Sequence, residues 1–116
     1  MPQYAALIYA SDVDPTKPEA AEMMKDYNEF HEGAQSVIRG GAALYPTATA
    51  TTVRVTGGKS GDVVTTDGPY AETKEALTGF YLIECADLDE AVKVAARIPG
   101  AWGGAIEVRP VVDFGR

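Results

Sequence analysis

A chain of 116 residues with 46% hydrophobic content reads as one domain, 1–116, large enough for a packed core without disulfide or metal support. A formal charge of −7 and the lack of a Lys/Arg cluster exclude nucleic acid and an anionic membrane surface as partners, because both would repel the chain. The single cysteine, Cys85, excludes an internal disulfide framework; with no secretory leader and no apolar run of membrane-spanning length, the expected location is the cytoplasm.

Tyr4–Ala10 reads as a strand apolar on both faces, with Tyr4, Ala6 and Ile8 opposite Ala5, Leu7 and Tyr9. A polar loop, Ser11–Pro18, precedes a helix expected from Glu19 to about Arg39, with Pro18 near its first turn and Gly40-Gly41 ending it. The inward stripe of that helix is Ala20, Met23 and Met24, Tyr27, His31, Ala34 and Ile38. Ala43–Tyr45 is at most a short strand. Thr51–Thr56 alternates polar and apolar residues, Gly57–Gly61 turns the chain, and Asp62–Thr66 returns, which makes a hairpin. Gly79–Ala86 is a strong strand. Asp87, with Glu90 three residues later, caps a second helix that packs through Ala91, Val92, Ala95 and Ala96 and stops at Pro99-Gly100. Ala105–Val112 is the last strand.

This order predicts an α+β, ferredoxin-like split β-α-β sandwich with both helices on one face of the sheet. Two helices leave the other face uncovered. Yet Phe80 and Leu82 oppose Tyr81 and Ile83, and Ile106 and Val108 oppose Ala105 and Val111. The simplest second cover is another copy of the chain, sheet against sheet, so a homodimer is expected.

Three groups of residues suit chemistry. His31, the one histidine, lies on the inward helix stripe, as either an acid/base group or a half-buried helix residue. Glu84, Glu107, Arg54 and Arg109 are charged residues inside strands. Converging on the non-helical face, the carboxylates would serve as acid or base and the guanidinium groups would hold an oxyanion; otherwise they form a structural ion-pair network. The loop Asp67-Gly68-Pro69-Tyr70-Ala71-Glu72-Thr73-Lys74-Glu75 is longer than a hairpin needs. It is either a wall supplying Tyr70 and Lys74 to a pocket or a turn organised by Asp67. A pocket is expected to draw on this loop and the in-strand charges together, more than on His31 alone. Cys85 is expected to be an inert core thiol. One histidine and one cysteine do not make a zinc site, and Gly57-Gly58-Lys59-Ser60-Gly61 lacks phosphate-loop spacing, so no metal or other cofactor is expected.

The Asp67–Glu75 stretch also resembles the signature of the DGPF branch of the YCII-related proteins, read as DGPF-A-E-T-K-E, with Tyr70 in place of phenylalanine. The resemblance extends nearly end to end, through Tyr4–Ala10, Ala50-Thr51-Thr52-Val53-Arg54, Gly79-Phe80-Tyr81-Leu82-Ile83-Glu84, Asp87-Leu88-Asp89-Glu90-Ala91 and Glu107-Val108-Arg109-Pro110-Val111. It implies a dimeric α/β barrel with a ligand cleft near the sheet and the dimer contact. Some members of the wider group pair a histidine early in the first helix with an aspartate in an Asp-Pro-Tyr-like segment after the second. Here that segment reads Arg97-Ile98-Pro99-Gly100, so the pair is not carried onto this chain.

Two functions follow as expectations. One is a cofactor-independent acid/base enzyme acting on a small organic molecule, for which the resemblance implies an isomerase, lyase or tailoring type. Its acid or base is Glu84, Glu107 or His31; Arg54 or Arg109 holds the oxyanion, and Tyr70 or Lys74 closes the site beside Asp67. The resemblance implies the other: a non-enzymatic ligand-binding or regulatory module linked to extracytoplasmic-function sigma factors through protein contacts.

Overall fold

The computed structural model describes residues 1–115. Its elements run β1 (Gln3–Ala10), α1 (Ala21–Ala34), β2 (Ile38–Ala43), β3 (Thr51–Thr56), β4 (Asp62–Asp67), β5 (Ala76–Glu84), α2 (Leu88–Ala95), α3 (Gly100–Gly103) and β6 (Ala105–Pro110). Four strands form a sheet of order β2-β5-β1-β6, antiparallel throughout. The units β1-α1-β2 and β5-α2-β6 each skip one strand, an arrangement consistent with a ferredoxin-like fold. The hairpin forms where expected, but as a separate two-stranded sheet of β3 and β4 between β2 and β5. The molecule is flat, 46 × 43 × 19 Å.

Strand alternation sets the core. Tyr4, Ala6 and Ile8 of β1 face the helices with Tyr81 and Ile83 of β5, and all five are buried. Phe30 and Ala34 of α1, Ala91, Val94 and Ala95 of α2, and Ile98 close over them. The opposite face carries Ala5, Leu7, Tyr9, Phe80 and Leu82, all half-buried in the single chain.

Two expectations are corrected. The first helix stops at Ala34, and Ile38–Ala43 is a strand. Val37 and Ile38 are β-branched and favour extended backbone. The Gly40-Gly41 pair serves close strand approach instead of a helix stop: a Cβ on Gly41 would lie 2.5 Å from the Phe80 carbonyl oxygen. The second helix packs through Ala91, Val94 and Ala95, in line with Ile98, rather than through Val92 and Ala96. This turns Leu88, Val92 and Ala96 outward, with Leu88 and Val92 each 51% exposed. Asp87 caps the helix as expected, its carboxylate accepting from the Glu90 N–H at 2.9 Å.

Candidate functional site

One end of the four-stranded sheet opens into a cleft of about 660 Å³. The C-terminal ends of β1 and β2 and the start of β5 floor it, at Ala10, Ala43 and Gly79. The first half of α1 forms a wall through Met23, Met24 and Tyr27, and α3 supplies Gly100 and Gly103. Gly100 is required there, since a Cβ would approach Ile8 Cγ2 to 2.5 Å and the Tyr27 hydroxyl to 3.0 Å. The chain therefore brings α3 against β1 at a distance only a glycine permits.

The principal polar contact of the cleft is His31 Nε2 to the Tyr81 hydroxyl, at 2.6 Å. Both residues line the cleft. His31 is exposed on α1, whereas Tyr81 is 7% exposed on the helix-facing side of β5. Burial pushes the Tyr81 phenol up to about 12, and the neighbouring Tyr27 adds to the shift. Burial pushes the Tyr27 phenol up as well, partly offset by the Gly100 backbone amide. Tyr81 thus stays protonated across the neutral range. It donates to an uncharged imidazole and accepts from an imidazolium. With Nε2 occupied, Nδ1 is the ring nitrogen left for another partner; it makes no hydrogen bond among the described residues. Phe30 packs against both rings, with centroids 6.2 Å from His31 and 5.2 Å from Tyr81, and holds the pair in place.

Sequence reasoning did not pick out Tyr81 or Tyr27 as site residues. Both signals were present: Tyr81 alternates onto the helix-facing side of its strand with Ile83, and Tyr27 and His31 share one helix stripe. Joining them needed the tertiary packing.

The other candidates lie elsewhere. Glu84 pairs with Arg39 at 3.5 Å, and Glu107 pairs with Arg109 at 3.7 Å. Glu84 and Arg109 stand near the start of β1, opposite Gln3 and Ala5, at the sheet end away from the cleft. Arg54 belongs to the separate β3-β4 sheet, where its guanidinium lies over the Tyr70 ring, 5.1 Å from the centroid. The expected convergence of Arg54 with Glu107 and Arg109 therefore does not occur within one chain. Glu84, Glu107 and Arg109 share the non-helical face of the four-stranded sheet, whereas Arg54 stands in a different sheet and contacts Tyr70. Asp67, Tyr70 and Lys74 are exposed. Their loop enters the sheet at β5, beside the cleft, but none of the three lines it. Gly68 anchors the loop, its N–H donating to Ala50 O at 2.8 Å and its carbonyl accepting from the Thr52 hydroxyl at 2.9 Å. Cys85 is buried, its thiol pushed up by burial and then by Glu90 and Asp87. Among the described residues no three His, Cys, Asp or Glu side chains gather in a metal-binding group, and no helix is long and apolar enough to cross a membrane.

A small α+β domain with a ferredoxin-like sheet and an apolar cleft at one sheet end is the class this geometry defines. The YCII-related domain matches residues 3–115, and the chain belongs to that family. It is also 47% identical over 75 residues to an uncharacterized protein of Rhizobium meliloti (strain 1021). That match covers 63% of this chain and 58% of the relative's length.

Proposed function

We propose that this protein binds a small organic molecule in the cleft between α1 and the sheet, with His31 as its acid/base group and Tyr81 as the residue that positions His31. The observation that carries this reading is the 2.6 Å contact between His31 Nε2 and the Tyr81 hydroxyl in the cleft wall. Histidine exchanges protons near neutral pH, and a phenol held protonated fixes the ring without competing for its charge. The chemistry available is proton transfer without a cofactor, the isomerase, lyase or tailoring type. His31 is favoured over Glu84 and Glu107, which are engaged by arginines outside the cleft. Arg54, Asp67, Tyr70, Lys74 and Arg109 belong to a form of this proposal in which a second copy completes the site, packed on the half-buried Leu7, Phe80 and Leu82 face. The Asp67–Glu75 motif supports assignment to the DGPF branch.

The test is a screen of small aromatic and enolisable compounds by amide NMR, followed by deuterium incorporation from heavy water into any enolisable compound bound. Hits should move the signals of Gly79, Gly100 and His31. Exchange should fall about a hundredfold or more in His31→Asn, the usual range for a general acid/base. Hits that all map to the Tyr70 loop or the outer sheet face would overturn the proposal.

A second reading, a regulatory module acting through protein contacts with a sigma factor, is favoured by one observation. Leu88, Val92 and Trp102 are exposed along one side of α2 and α3, and the Trp102 indole donates to Ala96 O at 3.1 Å, at the end of that stripe.

A further inference from the structure

The lining of the cleft narrows the class of ligand, an inference that rests on the ligand-binding reading above. In a chain of net charge −7, no Asp, Glu, Lys or Arg among the described residues lines the cleft. An anionic group placed there meets no Lys or Arg, only the His31 ring, and a cationic group meets no carboxylate. A charge moved into such surroundings loses its hydration without replacement. Uncharged polar groups do have partners: the phenols of Tyr27 and Tyr81, the imidazole of His31, the Asn28 amide and the hydroxyls of Ser11 and Thr78. Met23, Met24, Ile8, Val13 and Leu44 supply the apolar surface that an aromatic or aliphatic body would cover.

A second observation concerns size. Gly100 is glycine because the fold crowds it, but Gly103 is not crowded. A Cβ built there meets nothing within 4 Å, and its φ is not in the left-handed region. Gly103 is the exposed last residue of the four-residue α3, and no neighbouring atom calls for a glycine there. The cleft, by contrast, keeps open space at this lining residue. The geometry points to an uncharged, largely apolar molecule bearing a hydroxyl or carbonyl as the ligand, with Gly103 as the specificity-determining position that leaves room for it.

Three probes sharing one ring system and differing in charge test this: 2-naphthol, 2-naphthoate and 2-naphthylmethylammonium, titrated into the full chain at neutral pH and followed by amide NMR. The neutral probe should move the signals of Gly79, Gly100 and Gly104 and bind at least about tenfold tighter than either ion. Gly103→Leu should weaken 2-naphthol at least about tenfold with an unchanged or raised melting temperature, and Gly103→Ala should weaken it less. The alanine variant keeps the size test decisive should leucine disturb α3. A charged probe binding as tightly as 2-naphthol overturns the inference while leaving ligand binding intact. Unchanged affinity in both Gly103 variants overturns the role of Gly103. No response to any probe overturns the ligand-binding reading itself, and this inference with it.

Discussion

Tyr81 is held between a buried strand position and an exposed histidine, and that dual environment has a measurable consequence. Its phenol is pushed up to about 12 in the folded chain, against about 10 in an unfolded one. The folded state therefore keeps a proton that the unfolded state gives up. Stability contributed by this group is intact below about pH 10 and is lost as pH rises towards about 12. Denaturant midpoints measured over that window should decline, and Tyr81→Phe should remove part of the decline. An unchanged decline in the variant would refute the assignment. At this scale the sequence was informative about faces and silent about sheet membership. Glu84, Glu107 and Arg109 do share the non-helical face, as strand alternation requires. Alternation carries no information on which sheet a strand joins, and Arg54 is separated from the other three because β3 pairs only with β4.

Among the elements, α2 offers the sharpest local test. Asp87 accepts the Glu90 N–H at 2.9 Å, and Ala91, Val94 and Ala95 then pack beneath the cap. Asp87→Ala should cost about 1 kcal/mol, read from the midpoint of denaturant unfolding. A loss below a few tenths would mean that burial alone holds the helix start. Strands with strong alternation, β1 and β5, were legible from sequence because one buried face dictates their period. The α1–β2 boundary was not. A glycine pair ends a helix and also admits a neighbouring strand at close range, and only the position of Phe80 distinguishes the two uses. The packing face of α2 was misread for a related reason: Ile98, beyond the helix, sets which alanines turn inward.

For the whole molecule, the sheet-to-sheet dimer is the part of the proposal that solution mass tests. Its support is the half-buried apolar face of Leu7, Phe80 and Leu82, which α1 and α2 leave uncovered. Light scattering at micromolar concentration should give about twice the 12.3 kDa chain mass. A monodisperse monomer at that concentration would remove the dimer from the proposal and leave the Arg54–Tyr70 pair without a route to any shared site. Trp102 bears on all of these measurements. It is the chain's only tryptophan, 64% exposed, adjacent to Gly103 and tied by its indole to Ala96. The protein's long-wavelength ultraviolet emission therefore originates at a single address beside the cleft. Occupancy of the cleft, fraying of α3 and docking on the α2 stripe can each be followed there optically, in the unlabelled chain.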